Sequence, residues 1–378
     1  MGSVSSPASP LLSRPGAVPT PNGTGPDADP GTDLDTGLAW HYGDPLGEQR
    51  AADRGPVLLD RWTSGQLTVT GPDRLTWLHS LSTQHFEQFS DGDAAEALWL
   101  SPQGHVEHWA DAADLDGTVH LRTEPGAAPA LLAFLESMRF WTKVELADVT
   151  DDLAALTVAG KDAAEAVSAA LNATAPAGRA VAIADGAAAG GLVRGHPDRV
   201  DLTVPRDRFA GTVGALVKAG AAPAGSWAAA ALRVAARRPR FGVDNDERTI
   251  PNEMPWLATA VHLHKGCYRG QETVARVDNL GQPPRRLALL HLDGSGDSLP
   301  VTGDAVLTDA GRKVGRVGTV AQHFTDGPIA LALIKRSIGP DMPLQAGGAD
   351  AAMDPDDAVR AGRPFSVDRG EFHDFRRR

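Results

Sequence analysis

Two stretches of the chain carry the same alternation of apolar and polar positions. Leu67-Thr68-Val69-Thr70-Gly71-Pro72-Asp73 has the two-residue period of a half-buried strand and ends in a turn, after which Leu75, Leu78 and Leu81 fall on one helical face. Leu156-Thr157-Val158-Ala159-Gly160-Lys161-Asp162 repeats that L-T-V-x-G-x-D pattern and again leads into a helix-like run, Ala163 to Leu171. A second pair follows in matching order. Val119-His120-Leu121 runs into a proline-started helix from Pro125 to Leu135, and Val200-Asp201-Leu202 runs into Pro205 to Val217. The pattern predicts a duplicated α+β unit over 60–220, two sheets each with helices on one face.

Between the first pair, Ala97 to Trp109 reads as a hairpin with Pro102 to Gly104 in the turn, and His105 and His108 have structural roles there. A helix from Ser226 to Arg238 stops at Pro239; the loop 240–246 and Thr249 to Trp256 are irregular, with Pro251 and Pro255 fixing the backbone around Glu253. Thr273 to Val277 reads as a strand, and 281–284 breaks the chain. Short β-rich runs then alternate with turns: Leu287 to Leu292, Ala305 to Leu307, Val314 to Val320 and Ile329 to Ile334. That spacing predicts a small antiparallel barrel. The expected organisation is a disordered tail over 1–36, a first α+β unit over 37–150, a second over 151–283, a barrel over 284–340 and an irregular tail over 341–378. Both tails lack hydrophobic period, and the first is thick in Pro, Gly, Ser, Ala and Asp.

Composition narrows the chemistry. With 378 residues and 42% hydrophobic content the chain can bury a sizeable core. Its one cysteine excludes an internal disulfide and any cysteine-only zinc or iron–sulfur site within a single chain, so no metal site is expected. The net charge of −12, with no basic run beyond three arginines at the C-terminus, argues against direct binding of nucleic acid. No stretch approaches the roughly 20 apolar residues of a membrane span, and the expectation is a cytoplasmic protein without a membrane partner.

That cysteine, Cys267, lies between Gly266 and Gly270 in His264-Lys265-Gly266-Cys267-Tyr268-Arg269-Gly270-Gln271-Glu272-Thr273. Lys265, Arg269 and the nearby His262 and His264 are neighbours of the kind that lower a thiol pKa. The residues alone leave two readings open: a reactive thiolate, or a small side chain packed under a turn. Glu253 is equally divided between a surface carboxylate and an acceptor displayed to a planar amino-heterocycle.

The run Lys265 to Glu272, followed by Val274-Ala275-Arg276, resembles the signature of the YgfZ family of folate-binding proteins. The wider chain, from Leu38 to Arg336, resembles the glycine-cleavage T-protein (GcvT-like) superfamily through His41 to Asp44, Val69 to Asp73, Pro239 to Asp244, Ile250 to Glu253 and Lys265 to Gly270. The resemblance implies an α+β fold, with two related ferredoxin-like, GcvT-type domains and a C-terminal antiparallel β-barrel around a central tetrahydrofolate site. It implies that Glu253 anchors the pterin and that Cys267 is the functional thiol. Lys265 and Arg269 would stabilise its thiolate or a folate carboxylate, while Tyr268, Gln271 and Glu272 complete the folate loop. The implied role is a folate-binding accessory protein for assembly or repair of iron–sulfur clusters in client enzymes, including enzymes that modify transfer RNA. Its expected partners are folate and iron–sulfur client or assembly proteins. The superfamily's catalytic aspartates are replaced after the hairpin glycine by Glu107, His108 and Trp109. The rival is a folate-dependent aminomethyl- or methyltransferase, or demethylase, acting on a small amine through Glu107 or His108. A third reading is a docking module that has lost folate.

Overall fold

The computed structural model describes residues 8–21, 33–296 and 298–360. Two short strands, β1 (Val18–Pro19) and β2 (Ala39–His41), pair antiparallel and lead through helix α1 (Pro45–Arg54) to β3 (Pro56–Arg61). The first unit then runs β4 (Gly65–Thr70), α2 (Arg74–Leu81), β5 (Ala94–Leu100), β6 (Val106–Leu115), β7 (Thr118–Thr123), α3 (Ala128–Ser137) and β8 (Glu145–Asp148). The second runs β9 (Leu153–Gly160), α4 (Ala163–Leu171), β10 (Ala180–Ile183), β11 (Gly191–Gly195), β12 (Arg199–Pro205), α5 (Phe209–Lys218) and β13 (Ala222–Ala224). The sheets are ordered β5-β6-β7-β4-β8 and β10-β11-β12-β9-β3-β13. The second order is the first with β3 inserted, so the repeat read from the L-T-V-x-G-x-D pattern is a repeat of topology.

Each unit closes its own core. In the first, Leu67 and Val69 of β4 face Trp77 and Leu78 of α2 and Leu131 and Leu135 of α3; in the second, Leu156 and Val158 of β9 face Val167 of α4 and Phe209 and Val213 of α5. The alternate positions of the strands turn the other way, and there the two sheets meet through charge. Arg122 of β7 donates to Asp111 of β6 and to Asp201 of β12 at 2.6 Å each, and Arg194 of β11 lies 2.6 Å from Asp111. Burial pushes the Asp111 carboxyl up, but Arg194 and Arg122 hold it down at about 2. Three donor atoms of Asp111, His196 and Asp201 lie within 4.8 Å of one another, yet Arg122, Arg194 and Arg199 already neutralise these carboxylates. The group is an ion-pair junction between units.

After α6 (Ser226–Ala235) come a short helix α7 (Trp256–Thr259) and α8 (Gln271–Leu280). The segment read as a strand at Thr273 to Val277 is therefore helical: Gly270 and Gly281 cap it, and Val274 makes a single buried contact rather than an alternating face. The barrel follows, β14 (Arg285–Leu292), β15 (Ala305–Thr308), β16 (Lys313–His323), β17 (Gly327–Lys335), β18 (Leu344–Ala346) and β19 (Ala349–Met353), closed in the order β14-β17-β16-β15-β18-β19, with α9 (Pro355–Arg360) beyond it. The last two strands lie where an irregular tail was expected. Their inward residues include Ala346, Ala349 and Ala351, too small to give a visible apolar period. Residues 361–378 lie outside the described residues.

The expected disordered tail also needs correction. Leu11 is buried in the core of the second unit beside Leu58, the Ser9 hydroxyl donates to Asp60, and Thr20 bonds Leu38 and Ser226. This segment is fixed by isolated anchors, which leave no periodicity to read. Residues 1–7 and 22–32 lie outside the described residues. Among the described residues no helix is long and apolar enough to cross a membrane.

Candidate functional site

Three segments singled out in the sequence converge. The β5–β6 hairpin tip lies between the Pro251 turn and the Cys267 loop: the Val106 amide donates to the Thr249 carbonyl at 2.8 Å, and the Asn252 amide donates to the Val274 carbonyl at 3.2 Å. At the tip, Gly104 and Gly270 pack backbone to backbone, both at positive φ (84° and 78°), where a side chain would be strained as well as crowded.

Glu253 ends a 3₁₀ turn, Pro251–Glu253, and is 1% exposed. This is not a surface glutamate. Arg285, the first residue of β14, grips both of its oxygens, Nε to Oε1 and Nη2 to Oε2, at 2.8 Å each, while the Ile250 amide donates to Oε2 at 3.2 Å. Arg285 also reaches Asp246 at 2.6 Å. Burial works against the Asp246 charge, but bonds from Arg285 and Thr249 hold its carboxyl at about 2. Beside Glu253, Asn252 Oδ1 is buried with no hydrogen-bond partner, and so is Trp109 Nε1 on β6, whose ring packs on the same apolar cluster as Met254 and Tyr268. Asn252 Oδ1 is thus an unpartnered acceptor and Trp109 Nε1 an unpartnered donor, while the neighbouring Glu253 carboxylate is fixed in place by Arg285.

The signature loop divides its residues between scaffold and surface. Lys265 is buried, and its Nζ donates to the carbonyls of His79, Ser82 (2.6 Å) and Gln84 (3.0 Å), at and just beyond the C-terminal end of α2. These bonds use all three ammonium protons. Burial pulls the amine down to about 7, with the charge of Glu87 raising it in part. Its expected role as thiolate partner therefore gives way to that of a helix clamp. Around it, the His79, His85 and His262 rings stack edge to face, with centroids 4.5 and 4.9 Å apart. Tyr268 is buried, its phenol pushed up to about 12 by burial and then by Asp278. Cys267 is exposed, so it is not packed under the turn. Gln271 and Glu272 open α8, with Glu272 exposed.

Arg269 turns to the hairpin. It lies 3.3 Å from Glu107 and 5.7 Å from the Phe134 ring centroid, which His108 also approaches at 5.5 Å. Burial, then Arg269, lowers the His108 imidazole to about 4, so it is neutral and weakly basic at pH 7. A second feature was not foreseen. An open cleft of about 510 Å³ including its mouth is lined by Leu34, Glu124, Pro125, Gly126, Ala127, Phe241 and Gly242. Next to it the buried Arg240 pairs with Asp35 and Glu124. Neither Arg285 nor Arg240 stands out in sequence, because each acquires its meaning from a carboxylate far away along the chain.

Residues 41–187 match the GCVT N-terminal domain family. The solved structure of the glycine cleavage system aminomethyltransferase T from Bartonella henselae superposes with a TM-score of 0.77, covering 94% of this chain and 98% of that one at 16% identity. The fold is thus that of the GcvT-like class. The chain is similar to the tRNA-modifying protein YgfZ of Escherichia coli, 28% identical over 284 residues, covering 74% of this chain and 84% of that one. It is also 27% identical over 296 residues to a putative chloroplastic transferase of Arabidopsis thaliana, of which it spans 62%.

Proposed function

We propose that this chain binds a reduced folate, tetrahydrofolate, and acts as a cytoplasmic accessory protein in the assembly or repair of iron–sulfur clusters in client enzymes. The observation that carries the reading is the buried Glu253 carboxylate, fixed by Arg285 beside the unpartnered Asn252 Oδ1 and Trp109 Nε1. Glu253 and Asn252 accept from the amino edge of the pterin and Trp109 donates to its carbonyl. Bound folate would supply a one-carbon carrier. Arg269 and the start of α8, with Gln271 and Glu272, border the site, and Tyr268 supports it from below. Cys267 is the exposed thiol offered to a protein partner, a client iron–sulfur enzyme; a link to transfer-RNA modification is in keeping with the relatives' name, tRNA-modifying protein.

The transferase reading is the weaker one. It needs an acid or base near the folate, and a His108 that titrates near 4 and a Glu107 paired to Arg269 are poorly matched to proton transfer at neutral pH. The test is a titration of tetrahydrofolate into wild-type and Glu253→Ala protein, with saturable binding expected only in the first. Rescue of client iron–sulfur enzymes in a deletion strain should fail with Cys267→Ala. Full rescue, or no folate binding by wild type, would remove the respective half of the proposal.

A further inference from the structure

The most exposed large apolar side chains among the described residues stand together. Phe140 is 77% exposed and Trp141 98%, in the loop between α3 and β8. That loop is braced at both ends. Trp77 Nε1 of α2 donates to the Met138 carbonyl at 3.3 Å, and the Lys143 amide donates to Asp73 at 2.8 Å. Two aromatic rings held in water on a fixed loop are what an interface uses as anchors, with little ordering left to do on binding.

An open sheet edge begins beside the loop. β8 is the outermost strand of its sheet and pairs with β4 alone. The Val149 amide bonds the Gln66 carbonyl at 2.9 Å, so by the alternation of an antiparallel ladder Glu145 and Ala147 also turn their main-chain groups to β4, while those of Leu146 and Asp148 point outward. Glu145 and Asp148 are exposed on this strand, and Asp151 and Asp152 continue the exposed acidic rim just beyond it. Charge on an edge strand discourages indiscriminate pairing, but charge of one sign also selects a partner.

We infer that the Trp141 loop and the β8 edge form a docking surface for an extended, basic segment of a partner protein, which adds a strand to β8 and covers the Trp141 ring. Charge decides the occupant. A second copy pairing antiparallel about the middle of β8 would set Glu145 opposite Asp148, like charge against like. An anionic bilayer would meet the same carboxylates, and the loop's arginine, Arg139, is already paired with Glu136 at 3.0 Å. Lysines or arginines along an incoming strand instead give Glu145 and Asp148 counter-charges, while its main chain takes up the outward groups of Leu146 and Asp148. The surface lies at the start of α2, the helix whose other end Lys265 clamps, but the inference needs neither folate nor Cys267.

The probe is a short dye-labelled peptide of alternating lysine and valine, titrated into the full chain and followed by fluorescence anisotropy. Its controls are the same peptide N-methylated on the amides that would face β8, and a glutamate–valine counterpart. Wild type should bind the lysine peptide saturably. Trp141→Ala, a change at an exposed side chain that leaves the fold intact, should weaken binding at least about tenfold. N-methylation should cost at least about as much, because it removes donors that strand addition needs and that simple charge attraction does not. Glu145→Lys should shift the preference from the lysine peptide towards the glutamate one. No saturable binding by wild type overturns the inference, and so does equal affinity for the parent and N-methylated peptides. A dimer in sedimentation velocity that Trp141→Ala abolishes would overturn it in favour of a second copy. Sedimentation with vesicles of phosphatidylcholine and phosphatidylglycerol, lost in Trp141→Ala, would overturn it in favour of a membrane.

Discussion

Gly270 of the signature loop and Gly104 of the β5–β6 hairpin touch through their backbones. A Cβ at Gly270 would lie 2.5 Å from the Ser101 carbonyl oxygen and 2.8 Å from Gly104 Cα, and one at Gly104 would lie 2.7 Å from Thr273 Cβ. The obstacles are largely backbone, which cannot swing aside. Gly270→Ala should therefore cost more than about 2 kcal/mol, strain and overlap together, read as a lower urea midpoint. The same variant should expose the 264–270 loop to proteolysis. An unchanged midpoint would mean that hairpin and loop are not in contact.

Lys265 and Cys267 are two residues apart and should fail in different ways. Lys265→Ala leaves the carbonyls of His79, Ser82 and Gln84 without their shared donor, and a loss of about 2–4 kcal/mol is expected in thermal or urea unfolding. Cys267→Ala alters an exposed side chain and should leave stability within about 0.5 kcal/mol of wild type while abolishing rescue of client enzymes. Comparable destabilisation by both would contradict the division of the loop into clamp and exposed thiol.

Arg285 and Glu253 form the site's buried charge pair, and removing either partner exposes what the other costs. Arg285→Met strands Glu253, 1% exposed, with only the Ile250 amide, and should destabilise by about 3–5 kcal/mol. Glu253→Gln retains shape and one acceptor oxygen. It should fold, and it should lose at least about tenfold in tetrahydrofolate affinity, because a carboxylate accepting from a charge-assisted donor set is replaced by a neutral amide. Circular dichroism melts and a folate titration on the two variants separate these effects.

How far the sequence carried this picture depends on the range of the signal. The duplicated unit was legible because strand alternation and helical spacing are local, and Leu67 and Val69 face the core as their period requires. The barrel's first four strands were legible for the same reason, while β18 and β19, built on alanines, were not. At the site, Glu253 was visible only as a carboxylate between prolines. Its burial depends on Arg285, 32 residues on in another element. Lys265 was misread because its partners are main-chain carbonyls about 180 residues upstream, and main-chain groups leave no trace in a pattern of side chains. The N-terminal anchors Ser9, Leu11 and Asp35 are single residues in a Pro- and Gly-rich stretch, each meaningful only once Asp60, the second core and Arg240 are in place.

One of those anchors has a pH signature. Asp60 of β3 is buried, and its carboxyl is raised to about 6, chiefly by burial, with bonds from the Ser9 hydroxyl and the Trp62 amide offsetting part of the shift. A carboxyl with a folded pKa above its unfolded value near 4 is held as the acid by folding. Its favourable contribution is complete below about pH 4 and is lost as pH rises through about 6. At pH 8 the folded protein must carry the buried carboxylate, at a cost on the order of 3 kcal/mol for a shift of about two units. Asp60→Asn can keep both contacts, its oxygen accepting from the Trp62 amide and its nitrogen donating to Ser9. The variant should thus be more stable than wild type by about 2–3 kcal/mol at pH 8, and the two should converge by about pH 4. Urea unfolding of both proteins across pH 4–8 checks this; a variant equal to or weaker than wild type at pH 8 would show that the Ser9 and Trp62 bonds outweigh the burial of the charge.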